Sequence, residues 1–297
     1  MELITPQLVV FDLISGLMLG ALYALTSFGL TFVYGVLQFV NSAQGQLMML
    51  GAYVTYWLFV LYGLTPFESL FVSLVVGLAL GFLIFASIVR RLLGVPPIYT
   101  LIAAFGLSII LEESAKLAWG PTYRAFIYDV GSVGFLGFTI PLLKVYGALT
   151  SVAIMAFLYV FLYRTESGRI VRSVVQSPEG AALCGIDVRK VYAYSFAMGI
   201  GLTVASGALL TFYVSSGINP YMGAPYTDIA FAIAVLGGLG SPEGALVGGL
   251  IYGLVETMSF LGFSLLPNIS PYSMSRFVSF VLLLLVLLVR PRGLFGR

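Results

Sequence analysis

The sequence contains no histidine and only one cysteine, Cys184. The absence of histidine excludes a Ser-His-Asp triad, an imidazole general base and a histidine proton relay. A single cysteine cannot form an internal disulfide, and a Cys/His metal site needs more ligands than this chain provides. We therefore expect no metal site and no cofactor bound by this chain. We also find no pair of carboxylates that would support an intramembrane enzyme.

Charged residues are scarce as well. They make up 9% of the 297 residues, whereas about a quarter of the residues in a soluble domain are charged. The net charge of +2 gives no reason to expect a nucleic-acid partner. Hydrophobic residues account for 60% of the chain, and the mean hydropathy is +1.06. Because these residues occur in long runs, the solvent that they match is the lipid bilayer, and the sequence predicts an all-α polytopic integral membrane protein.

Nine apolar runs are close to the roughly 20 residues that a helix needs to cross a bilayer. Their approximate limits are 8–36, 42–63, 68–89, 98–118, 142–163, 191–214, 226–240, 244–263 and 274–290. The first run is overlong and interrupted by glycines, which leaves room for one span followed by a broken or re-entrant piece; the seventh run is short. We predict about eight to ten transmembrane helices in a single domain, 1–297. We expect no cleaved signal peptide, because the N-terminus lacks a basic stretch.

The lysines and arginines predict the orientation. Most of the 14 basic residues lie in three segments, which are 90–91, 164–190 and 290–297. The nine-span arrangement places all three segments on one side of the membrane, and the positive-inside rule assigns that side to the cytoplasm. The N-terminus would then lie outside, although a re-entrant pass near residue 37 would move it inside.

The polar loop between the fifth and sixth apolar runs contains start and stop signals for a short helix. Ser177 can cap this helix, Pro178 suits its first turn, and Glu179 lies against the positive end of its dipole. Gly185 supplies a left-handed stop, and Asp187 can cap the helix that follows. A helix of about two turns needs tertiary packing to be stable, so we predict that a partner supplies a docking cleft. An ordinary solvated loop that contains a capped turn is the alternative.

Five stretches of the sequence resemble the permeases of ABC importers. Segment 179–186, within the cytoplasmic loop 164–190, resembles the coupling loop of bacterial and archaeal ABC importer permeases, whose hallmark is Glu-Ala-Ala followed by a glycine. The residues that flank it, 167–169 and 176–179, resemble more narrowly the permeases of the branched-chain amino acid importers, as do the other four stretches, which are 20–25, 41–45, 218–223 and 235–245, the last continuing through 248–249 to Glu256. The likeness covers nearly the whole chain, which is most similar to the first of the two permease subunits of that system.

The resemblance implies a function and a set of partners. It implies a transmembrane permease subunit that passes branched-chain or other small hydrophobic amino acids across the cytoplasmic (inner) membrane of a bacterium or archaeon. The implied partners are a second related permease subunit, two cytoplasmic ABC ATPase subunits and an extracytoplasmic substrate-binding protein. This chain has no GxxxxGK[ST] phosphate-binding loop, so we expect it not to be an enzyme and ATP to be used by the ATPase subunits. The residues assigned to ATPase coupling are Ser177, Pro178, Glu179, Ala181, Ala182, Leu183 and Gly185.

The sequence departs from the family pattern at two places. The family usually has Asn-Phe-Ala-His-Gly where this chain has Asn-Ser-Ala-Gln-Gly at 41–45, so a role of that histidine does not transfer to Gln44. Gly180 replaces the first alanine of the coupling hallmark, which loosens the helix by up to about 1 kcal/mol. Both departures weaken the transfer of the substrate, and a urea or short-amide importer remains an alternative within the family.

The glycine-rich stretch 235–253 has two interpretations. It ends an apolar span and lacks a strand–turn–helix frame, which excludes a dinucleotide-binding loop. Its small-xxx-small spacing favours close helix packing, and glycine-lined helices could also border a transport pathway. The candidate pathway or helix-packing residues are Asn41, Gln44, Gly45, Gly237, Gly238, Gly240, Gly244 and Glu256.

Ionisable residues inside apolar runs are functional candidates in a membrane. Glu112, Glu113 and Lys116 lie in the fourth run, where the i,i+4 spacing of Glu112 and Lys116 suits a local ion pair. That group is either structural or lines the pathway. Glu256 could bind an ammonium group, act as a proton site or form hydrogen bonds with helix neighbours. An ion-coupled secondary transporter would use one of these carboxylates and need no partner, and it is the rival to the ABC importer.

Overall fold

The computed structural model describes residues 5–135, 137–214, 217–266 and 268–296. Its helices are α1 (Pro6–Leu37), α2 (Gln44–Tyr62), α3 (Pro66–Ser87), α4 (Pro97–Trp119), α5 (Leu142–Arg164), α6 (Glu166–Gln176), α7 (Pro178–Leu183), α8 (Val188–Leu210), α9 (Gly223–Gly237), α10 (Pro242–Ser264) and α11 (Pro271–Val289). Two 3-10 turns, Val89–Arg91 and Pro220–Met222, follow α3 and precede α9. Strands β1 (Ser132–Phe135) and β2 (Phe138–Pro141) form an antiparallel hairpin between α4 and α5.

The helices have the lengths that a membrane protein requires. Within the described residues, eight helices are long and apolar enough to cross a membrane, and they are α1 to α5, α8, α10 and α11. Helix α9, which corresponds to the seventh apolar run, has 15 residues and is therefore shorter than the roughly 30 Å hydrocarbon core of a bilayer. All nine apolar runs are helical, so the predicted polytopic helical fold is confirmed. The hairpin of β1 and β2 was not predicted.

The expected break in the first apolar run is wrong, because α1 is one continuous helix of 32 residues. Its glycines mark close packing instead. A Cβ on Gly20 would lie 2.8 Å from the carbonyl oxygen of Gly249 in α10, and one on Gly29 would lie 2.8 Å from that of Gly199 in α8. The helix ends at Gln38, whose φ of 53° turns the chain back. Each glycine costs a helix about 1 kcal/mol relative to alanine, and the close backbone contacts along α1 offset that cost.

Contacts between α1 and α8 show the relative direction of the helices. The Thr26 hydroxyl in α1 donates to Ser206 Oγ in α8 at 3.3 Å, whereas the later Gly29 lies against the earlier Gly199. These two helices are therefore antiparallel, and α3 packs antiparallel to α8 in the same way. Both α1 and α3 thus end where α8 begins. We call this end of the bundle the loop end, because the loop 164–190 lies there, and the opposite end the far end.

Helix α8 lies at the centre of the bundle. In its most apolar stretch 83% of the residues are buried, the largest share among the eight long helices. Helix α8 packs against α1, α2 and α3. Gly207 of α8 lies against the backbone of Met48, and Gly51 of α2 lies against the backbone of Val204. A side chain at either glycine would collide with main-chain atoms that cannot move independently. A displacement at the start of α8 is therefore transmitted to its neighbours, because close-packed helices do not deform locally.

Candidate functional site

Helix α7 begins as the sequence predicts. Ser177 is its N-cap, and the backbone N–H of Gly180 donates a hydrogen bond to Ser177 Oγ at 3.0 Å. Pro178 occupies the first helical position, where no N–H is needed. Glu179 lies in the first turn, where the helix dipole favours a negative charge. The start of this helix is therefore determined by its own sequence.

Helix α7 ends in a Schellman motif. The N–H of Ile186 donates to the carbonyl oxygen of Ala181 at 3.1 Å, and the N–H of Gly185 donates to that of Ala182 at 3.0 Å. Gly185 has a φ of 83°, which glycine adopts without the steric cost of a Cβ. The predicted left-handed stop is confirmed. Bonds within a single stretch of chain thus satisfy both ends of a helix that has only six residues.

One side of α7 faces the protein and the other faces solvent. Ala181 is buried, whereas Glu179, Ala182 and Leu183 are exposed, with Leu183 at 91%. A leucine that is exposed on a polar loop has no stabilising role within this chain. The exposed side therefore combines an apolar contact with a nearby negative charge, which is a suitable surface for a partner protein. We call Glu179, Ala182 and Leu183 the coupling face.

The coupling face is joined to the bundle on both sides. Before α7, Gly168 of α6 lies against the backbone of Leu162 at the end of α5, and the Arg172 guanidinium donates to the Leu162 carbonyl oxygen. After α7, Asp187 caps α8, because its Oδ1 accepts from the N–H of Lys190 at 3.1 Å. That hydrogen bond lowers the pKa of Asp187 below its ordinary value. A force on α7 therefore reaches α8 through a connection of a few ordered residues.

The glycine candidates of the second turn lie at the same end of the bundle. Ser241 caps α10, with the N–H of Gly244 donating to Ser241 Oγ at 3.0 Å. Gly244 packs directly on the backbone of Gly237, and Gly240 packs on Gly35 at the end of α1. The turn between α9 and α10 therefore depends on close main-chain contacts, and Gly237, Gly240 and Gly244 belong to it.

The C-terminal tail completes this turn, which the sequence did not predict. The N–H groups of Leu294 and Phe295 donate to the carbonyl oxygens of Leu236 and Gly237, each at 2.9 Å. These carbonyls are the last two of α9 and have no partner within the helix. Gly238 has a φ of 104°, and a Cβ there would lie 2.5 Å from the backbone nitrogen of Gly296. Arg297 lies outside the described residues.

The candidates Asn41, Gln44 and Gly45 belong to a buried polar cluster inside the bundle. Gln44 is 1% exposed, and its Nε2 donates to Thr203 Oγ1 at 2.7 Å and to the Thr26 carbonyl oxygen at 2.8 Å. Asn41 Nδ2 donates to Gln44 Oε1 at 3.3 Å. The side-chain amide of Gln44 therefore has hydrogen-bond partners for both its donor and its acceptor atoms.

Two helices begin at this polar cluster. Gly45 is the second residue of α2, and its N–H donates to Thr227 Oγ1 in the first turns of α9 at 2.9 Å. A Cβ on Gly45 would collide with the carbonyl group of Gly223, so glycine is required there. Thr203 and Thr227 were not singled out from the sequence. The available signal was a hydroxyl within an apolar run, which is too common to be informative by itself.

Glu256 lines a cavity of about 230 Å³ between α1, α8, α9, α10 and α11. Glu256 is 7% exposed, and the Tyr23 hydroxyl of α1 donates a hydrogen bond to its carboxylate. Arg276 of α11 lines the same cavity and lies over the Tyr272 ring at 4.4 Å from its centroid. Glu256 Oε2 and Arg276 Nε have no hydrogen-bond partner among the described residues. Arg276, an arginine within the last apolar run, was overlooked in the sequence.

The group in α4 forms the predicted local ion pair. Lys116 Nζ lies 2.9 Å from Glu112 Oε1 and 2.8 Å from Glu113 Oε1. The ammonium also lies 4.4 Å from the ring centroid of Tyr221, in the turn before α9. The three charges are therefore paired with one another and with an aromatic ring, an arrangement that ties α4 to this turn.

Comparison with known families identifies the fold and the class of protein. A family described as "Branched-chain amino acid transport system / permease component" matches residues 13–287. The chain belongs to this permease family. It is therefore a multi-pass membrane permease, and α7 occupies the segment that resembles the coupling loop of ABC importer permeases.

Individual relatives of the permease match it along almost its whole length. It is 33% identical to the high-affinity branched-chain amino acid transport system permease protein LivH of Escherichia coli K12, over 96% of this chain and 95% of that protein. It is 30% identical to BraD of Pseudomonas aeruginosa, with the same coverage of both chains. Among solved structures, PsaBC from Streptococcus pneumoniae in complex with Fab has a TM-score of 0.51 at 12% identity, covering 96% of this permease and 94% of that chain. That likeness supports the fold alone.

Proposed function

We propose that this permease is the membrane-spanning subunit of an ABC importer for branched-chain or other small hydrophobic amino acids. The names of the relatives support the substrate class. The loop end would face the cytoplasm, and the membrane would be the cytoplasmic membrane of a bacterium or archaeon. Two cytoplasmic ATPase subunits, a second related permease subunit and an extracytoplasmic binding protein would complete the importer.

The observation that carries this proposal is the coupling face. A six-residue helix has too few internal hydrogen bonds to be stable alone, yet α7 is capped at both ends and presents an exposed leucine. An importer needs such an element, because the ATPases must push on a rigid part of the permease. A secondary transporter has no use for it, since its energy comes from ions that bind within the membrane.

The mechanism follows from the way in which α7 joins the bundle. Closure of the ATPases on ATP would displace α7, and the cap at Asp187 would pass that displacement to α8. Because Gly207 and Gly51 hold α8 and α2 in main-chain contact, the two helices would move together. The movement would shift the start of α2, which forms the buried polar cluster with α9, and would open a path on alternate sides of the membrane.

The proposal is tested by purifying the tagged chain from native membranes and measuring uptake by the recovered complex. We expect an ATPase to co-purify with the permease. Glu179→Arg and Ala182→Pro should abolish ATP-driven uptake while membrane insertion remains intact. Glu166→Arg in α6 is the matched control, because it reverses the charge of an exposed glutamate outside the coupling face.

Three outcomes would contradict parts of this proposal. Normal uptake by both coupling-face variants would refute the role of α7. Recovery of the chain alone, active in ion-driven uptake, would favour the secondary transporter. Uptake of urea or a short amide in place of L-leucine by an intact complex would keep the ABC importer and change its substrate.

A further inference from the structure

We propose that the cavity between Glu256 and Arg276 binds an α-amino acid as a zwitterion. Arg276 would take the α-carboxylate, Glu256 would take the α-ammonium, and the aromatic and apolar walls would surround the side chain. This inference rests on the proposed function, to which it adds a substrate site within the permease itself.

The cavity lies in the far half of the bundle. Arg276 is in the second turn of α11, and Glu256 is in the second half of α10. Helix α10 starts at the loop end, where Gly240 contacts the end of α1, so its second half extends toward the far end. In the proposed orientation this is the extracytoplasmic side. A solute delivered by a binding protein would reach this cavity before it reached the buried polar cluster.

The charges of the cavity are satisfied only in part within the described residues, where the Tyr23 hydroxyl donates a hydrogen bond to the Glu256 carboxylate. Glu256 is almost fully buried, and a lone carboxylate inside a membrane protein is costly. Arg276 lines the same cavity, but the two side chains form no ion pair with each other among the described residues. Each retains a polar atom without a hydrogen-bond partner. A ligand that carries a carboxylate and an ammonium group on one carbon atom would neutralise both charges at once.

The other walls of the cavity suit a small apolar side chain. They include Leu19, Tyr23, Leu210 and Tyr226. The volume of about 230 Å³ is below the roughly 300–1,000 Å³ of pockets for drug-sized ligands, so the ligand is small. A simple proton site at Glu256 would explain neither the arginine opposite nor the aromatic lining. A carboxylate, a guanidinium group and an apolar wall together provide the contacts that a hydrophobic amino acid needs.

The first experiment measures L-leucine uptake by the whole importer in proteoliposomes, at saturating binding protein, for Glu256→Gln and Arg276→Gln. Losing one charge-assisted contact should raise the KM for uptake by about tenfold or more, and the amount of assembled complex is measured for each variant. Glu113→Gln is the control, because it removes a carboxylate from the membrane region but outside the cavity; its KM should remain within about twofold of the wild type.

The second experiment separates recognition from a structural role. Binding of labelled L-leucine to the purified complex without binding protein is competed with 4-methylpentanoate, which lacks the ammonium, and with 3-methylbutylamine, which lacks the carboxylate. Glu256→Gln should reduce the preference for L-leucine over the acid, and Arg276→Gln should reduce the preference over the amine. A structural defect would weaken the binding of all three ligands by a similar factor.

The outcomes distinguish this site from the proposed function. If the wild-type complex transports L-leucine and both variants match it in KM and in ligand preference, the cavity is not the site and the proposed function stands. If the wild-type complex does not transport amino acids, both proposals fail together. If the glutamine variants do not assemble, Glu256→Asp and Arg276→Lys replace them. A wild-type KM for uptake and a wild-type ligand preference in these two variants would also contradict the proposed amino acid site.

Discussion

The four residues Ser-Pro-Glu-Gly occur twice in this permease, at 177–180 and at 241–244. Both copies start a helix in the same way, with the serine hydroxyl accepting from the glycine N–H at 3.0 Å. The first copy opens the six-residue α7, which is largely exposed in the loop 164–190, and the second opens the 23-residue α10. A short sequence can therefore fix how a helix begins, while the surroundings decide what that helix does.

The surroundings differ most at the glutamate and the glycine. Glu179 is exposed on the coupling face, whereas Glu243 accepts a hydrogen bond from the Tyr163 hydroxyl at 2.7 Å. A Cβ added at Gly180 would contact only the side chain of Ser177 among the described residues, whereas one added at Gly244 would lie against the backbone of Gly237. The first copy is thus available to a partner, and the second is fixed within the bundle.

The largest difference between the copies should appear on substituting the glycines with alanine. In Gly244→Ala the new Cβ would collide with the main chain of Gly237, so the cost should reach or exceed the roughly 1–3 kcal/mol of an overpacked core. In Gly180→Ala the nearest atom is a rotatable hydroxyl at 3.0 Å, and better helix propensity offsets the contact. Thermal unfolding in detergent measures both; equal unfolding temperatures would contradict the comparison.

The glutamates should differ by a smaller amount. Tyr163→Phe removes the donor to Glu243 and should cost about 1 kcal/mol, because the group is partly exposed. Glu179→Gln should change stability by less than about 0.5 kcal/mol, since that side chain is exposed. The free energy of unfolding of each variant checks this. A stability loss confined to Glu179→Gln would show that the coupling face is held by this chain and is not available.

Removing either serine cap should cost the same free energy at the helix start, but the effect on amide exchange should extend further in α7 than in α10. Ser177→Ala and Ser241→Ala each remove an N-cap, worth about 1 kcal/mol. In α7 this should raise amide exchange across the helix by roughly fivefold, because little else holds it. In α10 the effect should be confined to the first turn, since the rest of the helix is packed. Equal protection of α7 before and after the change would contradict this expectation.

The smallest effect concerns pH. Asp187, which follows the first copy, has a pKa below its ordinary value because it accepts from the Lys190 N–H. Its cap is therefore fully present above the ordinary pKa of an aspartate and is lost as the pH falls through the depressed value. The protection factor of the Lys190 amide, which is its exchange rate relative to the intrinsic rate at the same pH, should fall on acidification, while that of Gly244, capped by a serine, should not. Asp187→Asn should remove the pH dependence.

Features that depend on nearby sequence were predicted well. The nine apolar runs are helices, and Ser177, Gly185 and Asp187 act as predicted, because a cap needs only residues within one turn. The interruption of α1 was predicted wrongly because the role of its glycines depends on residues that are distant in sequence. A glycine in a helix has a different meaning when another backbone lies against it, and the contact of Gly20 with Gly249 joins residues distant in sequence.

The candidate sites were predicted only in part for the same reason. Glu256 was identified because a lone carboxylate in an apolar run is conspicuous. Arg276 was overlooked, since nothing in the sequence shows that α10 and α11 bring the two charges to one cavity. The partners of Gln44 also come from other helices. The chemistry of a single side chain can thus be inferred from the sequence, but which side chains from different helices meet can be seen only in the fold.

The bonds from Leu294 and Phe295 to the end of α9 also constrain how the protein is made. Ribosomes synthesise α9 before α10, α11 and the tail, so the last carbonyls of α9 initially lack the hydrogen bonds that the tail donates. A helix of 15 residues is also too short to be retained firmly in the bilayer by itself. These two hydrogen bonds can form only after residues 294 and 295 have been synthesised, so completion of the turn between α9 and α10 is a late event in the biogenesis of the permease.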